Sequence, residues 1–264
     1  RQMCIRDSFQ VVKDGDKLSL GKRELIFVTL PMLHWPDSMA TYCADDGILF
    51  SNDAFGQHYA AAKRFDDEVD LGILFYEAKK YFANILWPYA KLIDKALAKA
   101  AALDLQMIAT AHGIIWRSHI QEIIAKYAAW GKGVNGSSVV IAYDTMWGAT
   151  EQMARAVLEG VVSAGSDAVL LRMNETPNST VVADLFEAGG MILGSSTLNS
   201  GMLPTMGSLL VYLKGLNPTG KKAAVFGTYG WAGGAQKDME ALLTAAGFEL
   251  EPGFTCKWKA QPED

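Results

Sequence analysis

At 264 residues, half of them hydrophobic, the chain can bury one large core or two ordinary ones and is too apolar for a disordered protein. A net charge of −5 without a long basic run argues against a nucleic-acid partner, and no apolar stretch reaches the ~18 residues of a membrane span. Cys4, Cys43 and Cys256 lie far apart with no C-x-x-C pair, so they read as thiols in a reducing cytoplasm rather than as a disulfide framework.

In chain order, residues 1–8 (RQMCIRDS) have neither strand nor helix period and are expected to be foreign to the fold or disordered. RELIFVTL predicts a strand, and MATYCADDGILFSND a hairpin turning at Asp46-Gly47. Residues 67–103 carry helical spacing, ended or kinked at Pro88. LQMIATAH predicts a short strand ending at His112. WGKGVNGSS, residues 130–138, holds three glycines and an Asn-Gly pair; residues 131–136 are the expected linker between a first domain, 9–130, and a second, 137–264.

Beyond the linker, five β-rich runs alternate with helical patterns: SSVVIAYD, DAVLLRM, GGMILGSS, KKAAVFGTYG and FELEPGFTCKW. In EQMARAVLEGVVSAG, Met153, Ala154, Val157, Leu158 and Val161 share one face. Such alternation predicts an α/β domain with a doubly wound parallel sheet. These sheets bind ligands beyond the carboxyl ends of their strands, so the strand-to-helix loops carry the information.

Three loops stand out. In YDTMWGATEQM, Thr145, Met146, Trp147, Gly148, Ala149 and Thr150 join a strand to a helix start, where N–H groups attract an anion; Thr150 is also a good helix N-cap. The loop is neither a Walker A motif nor G-x-G-x-x-G, and a phosphate monoester suits it better than a pyrophosphate. GSSTLNSGMLP supplies Ser196, Thr197, Leu198 and Asn199. GTYGWAGGAQ sets Thr228, Tyr229, Gly230 and Trp231 among further glycines, including Gly233 and Gly234. A flat ring system could stack on the aromatics while glycines admit it to the backbone; packing of Trp231 under its own loop is the simpler alternative.

In the first domain, His34, Asp53 and His112 each close a predicted strand. Three ligands at strand ends can converge on one rim of a sheet, as a metal site requires. His58 has no evident role. His119, at helical spacing from Trp116 and Ile123, reads as structural.

The three loops resemble the flavodoxin fold over residues 137–256, which implies FMN, its phosphate in the first loop and its isoalloxazine between the other two. Ala149 departs from that pattern, where many relatives carry a polar side chain. With LHWPDSM, FSNDAFG and AHGIIWR preceding them, the whole order resembles the flavodiiron proteins, in which a metallo-β-lactamase-like αββα domain with a non-haem di-iron centre precedes a flavodoxin-like domain. The resemblance implies that His34 and His112 each ligate an iron and that Asp53 bridges the pair. The family's upstream H-x-E-x-D motif begins at none of the four histidines. The chain is therefore expected to be a fragment lacking the first half of the metal domain and the last flavodoxin helix, with an incomplete di-iron site.

The resemblance further implies an oxidoreductase passing electrons from FMN to di-iron, reducing dioxygen to water or nitric oxide to nitrous oxide. It implies a head-to-tail homodimer and a rubredoxin or related reductase as donor. Two other readings stand beside it: a zinc-dependent metallo-β-lactamase-type hydrolase fused to a flavodoxin, and a flavodoxin-like electron carrier with a non-catalytic first domain.

Overall fold

The structure, a computed structural model, describes residues 10–133 and 135–260. The segment 1–8, Cys4 and residue 134 of the expected linker lie outside the described residues. The chain divides into two compact units. One runs to Tyr81 and resumes over Tyr89–Lys132; the other comprises Phe82–Pro88 and the chain from Gly133 onward.

The first unit holds a five-stranded sheet in the order β1-β2-β3-β4-β5: β1 (Lys17–Ser19), β2 (Glu24–Thr29), β3 (Met39–Cys43), β4 (Ile48–Asn52) and β5 (Met107–Thr110). The first four pair antiparallel, β3 and β4 forming the expected hairpin, and β5 joins β4 in parallel. Because β2, β4 and β5 run the same way, their carboxyl ends share one rim. Alternation sets the faces: Leu49 and Ser51 of β4 are buried while Phe50 between them is exposed.

The helical stretch 67–103 is not continuous. It forms α1 (Leu71–Tyr81), a π-turn (Phe82–Leu86), a 3₁₀ stretch holding Pro88 (Trp87–Leu92) and α2 (Ile93–Ala100). Proline removes a backbone donor and clashes with the preceding turn, which a tighter helix avoids. The last helix of this unit, α3 (Ile120–Lys132), buries Ile120, Ile123, Tyr127 and Trp130 along one stripe and extends two residues into the segment expected as linker. Its amino end is held by Asp66, a buried carboxylate that accepts the N–H groups of Arg117, Ser118 and His119. Burial works to raise the Asp66 pKa, but these bonds and the His119 ring outweigh it and hold the carboxyl below its usual range. His119 Nδ1 lies 3.0 Å from Asp66, a structural partnership.

The second unit is a parallel sheet in the order β7-β6-β8-β9: β6 (Val139–Asp144), β7 (Ala168–Arg172), β8 (Gly190–Ser196) and β9 (Lys222–Tyr229). The run FELEPGFTCKW is not one strand. Pro252 and Gly253 split it into β10 (Glu249–Leu250) and β11 (Phe254–Lys257), both parallel to β9. The intervening helices are α4 (Ala149–Ser163), α5 (Asn178–Glu187), α6 (Pro204–Leu216) and α7 (Ala235–Ala245). Strand order reverses between β6 and β8, so the loops leaving them diverge and open a crevice. The segment Phe82–Pro88 belongs here: Phe82 and Trp87 set their rings 5.4 and 4.8 Å from that of Phe186 on α5, and Asn84 donates to the Ser179 carbonyl. Lys221 is buried beneath, its ammonium donating to the carbonyls of Phe186 and Ala188; burial pushes its pKa down to about 8.

Candidate functional site

In the first unit, the loops leaving β2, β4 and β5 bring His34, Asp53 and His112 together. His34 Nε2 lies 3.4 Å from one Asp53 oxygen, and His112 Nε2 3.2 Å from the other. One carboxylate thus faces two imidazoles through separate oxygens, the arrangement of a bridging ligand. Among the described residues no position gathers three His, Cys, Asp or Glu ligands. The donor set fits a pair of cations sharing Asp53, with one imidazole and one carboxylate oxygen offered to each.

The backbone around these residues is strained. Met32, Asn52 and Phe55 have φ of 65°, 56° and 63°. A left-handed bulky residue such as Phe55 costs about 1–3 kcal/mol and persists only when its surroundings over-determine it. They do so here: the Phe55 N–H donates to Tyr127 Oη, and its carbonyl accepts from Trp116 Nε1 and Gln57 Nε2.

His58, without a role in the sequence, stands beside the site. Its ring lies 5.6 Å from that of His112 and 5.0 Å from that of Tyr81. Burial and then the Asp53 carboxylate push the Tyr81 phenol well above the usual range, so it stays protonated. Nothing local marks Tyr81 in the sequence, because it ends a helix that starts ten residues earlier.

In the second unit, the loops after β6, β8 and β9 enclose a cavity of about 420 Å³, within the ~300–1,000 Å³ of small-molecule sites. Met146, Trp147 and Ala149 line it from the first loop; Ser196, Thr197, Leu198 and Asn199 from the second; Thr228, Tyr229, Gly230 and Trp231 from the third. Ser200 and Ala232, in the same second and third loops, and Trp258, outside all three, complete the wall. Thr145, Gly148, Thr150, Gly233 and Gly234 do not line it, though several shape it.

Thr150 is not the N-cap of α4. Gly148 takes that position, and its N–H donates to Thr145 Oγ1. Thr150 lies two residues further in, fully buried, its hydroxyl 2.8 Å from Ser196 Oγ and 3.0 Å from Thr228 Oγ1. One hydroxyl from each loop therefore meets here, Ser196 and Thr228 lining the cavity and Thr150 buried behind them. Asp144, at the end of β6, accepts from Thr145 N–H and from the Thr205 hydroxyl on α6. Gly234 has no room for a side chain, because a Cβ would overlap the Ser200 carbonyl; the second and third loops interlock there.

The loops 143–153, 194–204 and 227–236 contain no lysine or arginine. An anion would be held by hydroxyls and by the N–H groups of the first turn of α4. Above the polar floor the walls are aromatic and uncovered: Trp147 is 92% exposed and Trp231 88%. The simpler alternative for Trp231, packing under its own loop, does not hold. A polar floor at a helix amino end beneath indole walls fits a phosphorylated flat heterocycle such as FMN.

Comparisons with known proteins agree with this geometry. The flavodoxin family matches residues 141–264, and the ODP family beta lactamase model matches residues 3–113. A nitric oxide reductase of Moorella thermoacetica is 46% identical over 97% of this chain and 65% of its own length. An anaerobic nitric oxide reductase flavorubredoxin of Vibrio vulnificus is 40% identical over 96% of this chain and 52% of its own. Among solved structures, the flavodiiron protein from Giardia intestinalis matches with a TM-score of 0.93 at 38% identity, covering 96% of this chain and 64% of that one. Rubredoxin oxygen:oxidoreductase from Desulfovibrio gigas matches with a TM-score of 0.91 at 37% identity, covering 96% and 65%. The chain thus spans between about a half and two thirds of the length of these relatives. With a β-lactamase-type unit carrying a carboxylate between two imidazoles, a flavodoxin-type unit after it, and these relatives across both, the chain belongs to the flavodiiron protein family.

Proposed function

We propose that this chain forms part of a flavodiiron oxidoreductase that passes electrons from FMN to a non-haem di-iron centre and reduces dioxygen to water, nitric oxide to nitrous oxide, or both. The observation that carries the reading is the Asp53 carboxylate held between His34 and His112 through different oxygens. Bound FMN would supply reversible one-electron chemistry, and a ferrous pair a gas-binding reductant. The β-lactamase-type domain is assigned to 9–130 and the flavodoxin-type domain to 137–264. Names of relatives that specify nitric oxide reduction or rubredoxin oxidation support the substrates and a rubredoxin-type donor.

The chain's own residues do the following. His34, Asp53 and His112 would hold the cations, the carboxylate shared between the two imidazoles. The α4 amino end, its first turn shaped by the bond from Gly148 N–H to Thr145 Oγ1, would receive the phosphate. Trp147, Tyr229 and Trp231 would flank the ring and shield it from water, and the Thr150, Ser196 and Thr228 hydroxyls lock the loops in place.

No helix among the described residues is long and apolar enough to cross a membrane. The proposed setting is cytoplasmic, and the proposed assembly a head-to-tail homodimer in which FMN of one subunit serves the di-iron site of the other. The protein expressed from its native gene should hold FMN and iron. Its reduced flavin should be reoxidised rapidly by dioxygen or nitric oxide only when iron is present. Reoxidation at the same rate after iron removal would favour the flavodoxin-like electron carrier, a reading supported by the lack of a three-ligand position among the described residues. Zinc in place of iron would favour the hydrolase.

A further inference from the structure

We propose that Gln57 is a positioning residue that holds the Asp53 loop and the His112 loop at a fixed separation, and so sets how the bridging carboxylate and one of its imidazoles meet. The inference rests on the metal-site reading above.

Gln57 is fully buried. Its side-chain oxygen accepts the Ile114 N–H at 2.7 Å, and its amide nitrogen donates to the Ile114 carbonyl at 3.1 Å and to the Phe55 carbonyl at 3.0 Å. The side chain therefore pairs with both backbone groups of Ile114, as the peptide of a neighbouring strand would. It does so beyond the end of β5, where no strand remains to pair with. The Gln57 backbone N–H donates to the His112 carbonyl at 3.2 Å, adding a second tie between the loops.

The fit leaves no slack. Gly113 lies between His112 and Ile114 with φ of 82°, and a Cβ there would overlap Gln57 Oε1 and the Gln57 carbonyl. A Cβ on Gly56 would lie 3.4 Å from the His112 Cβ and 2.9 Å from the Asp53 carbonyl. The same amide that ties the loops also satisfies the carbonyl of left-handed Phe55, two residues after Asp53. Removing it strands the buried Ile114 N–H, leaves the Phe55 and Ile114 carbonyls with only the Trp116 indole and the Thr110 hydroxyl, and loosens the tie between the two loops to the single Gln57 N–H bond. A merely structural amide would cost stability only; one that sets ligand separation would also change the metal site, as groups that orient ligands do.

The test uses the protein expressed from its native gene. Gln57→Met keeps length and removes the polar atoms. Leu74→Ala, a buried change in α1 away from these hydrogen bonds, serves as the stability-matched control, and Asp53→Ala tests the metal reading itself. Iron and FMN content, ferrous affinity, the Mössbauer spectrum and the melting temperature are measured for each. Gln57→Met should bind ferrous iron ~10–100-fold more weakly. Its residual iron should show an altered spectrum, its FMN content should be unchanged, and Leu74→Ala of similar melting temperature should keep wild-type iron. If Gln57→Met fails to fold, Gln57→Asn, which retains an amide one methylene short, is read in the same way. The proposal is overturned if the Gln57 variant keeps wild-type affinity and spectrum, or if it changes no more than the stability-matched control. If Asp53→Ala also keeps wild-type iron, the metal-site reading fails; if only the Gln57 variant does, that reading stands and the clamp alone is lost.

Discussion

The two candidate sites solve the same problem, holding reactive groups still, by opposite means. In the first unit the donors are few and close. The rim bearing Asp53 is fixed by strained backbone at Asn52 and Phe55 and by a buried amide beneath. In the second unit the cavity is wide, its Ser196 and Thr228 hydroxyls are backed by that of buried Thr150, and its walls include indoles left open to water. Cations need ligands within tenths of an ångström, so strain is tolerated where it fixes a carboxylate. A planar heterocycle needs apolar area and a polar anchor, so its walls can wait uncovered, and their burial adds to affinity when the ligand arrives. A rigid set of donors and an open cradle are thus two forms of preorganisation, one stored in the backbone and one completed by the ligand.

The comparison breaks first at Asp53. Asp53→Ala should abolish iron binding while leaving FMN content unchanged, read by metal analysis and flavin absorbance on one sample. Parallel loss of both cofactors would mean that the two sites do not stand independently. A smaller effect is expected at Gly234, where an added methyl meets backbone. Gly234→Ala should cost about 1–3 kcal/mol of stability and weaken FMN binding, while Gly233→Ala, with open space around it, should do neither. Equal effects at both positions, in thermal melts and flavin titrations, would deny the interlock with Ser200. Trp231→Ala should weaken FMN binding by roughly 1–2 kcal/mol, the range for truncating an aromatic anchor, in a fluorescence titration. Smallest is Trp258→Ala, expected at under about 1 kcal/mol because this ring flanks Gly230 rather than standing among the three loops. A reversed order for the two tryptophans would move the ring-bearing wall to the carboxyl-terminal side of the cavity.

Much of this was legible in the sequence for local reasons. His34, Asp53 and His112 each follow a short β-rich run, and parallel directions bring such ends to one rim. The three flavodoxin-type loops announce themselves because strand, loop and helix follow one another without interruption. What escaped notice depends on partners distant in sequence. Gln57 sits in an unremarkable stretch and gains its role only from Ile114, 57 residues on. Trp258 joins the cavity wall through its N–H bond to the Tyr229 carbonyl, a pairing fixed by β9 and β11. Thr150 looked like a cap because hydroxyls usually cap helices, but Gly148 opens the helix first and turns that hydroxyl inward to Ser196 and Thr228. The assignment of Phe82–Pro88 to the second unit has no sequence signal, since its apolar residues suit any core.

That short segment bears on how such a protein could be assembled or divided in evolution. Its Phe82 and Trp87 rings cover Phe186 on α5, yet they are encoded between the two helices α1 and α2 of the other unit. A gene exchange that cut only at the glycine-rich junction near Gly133 would give the flavodoxin-like module an open seam over Phe186 and Trp87's cation partner Lys221. The module is therefore drawn from two separate stretches of chain, and shuffling it intact would require both to be carried together.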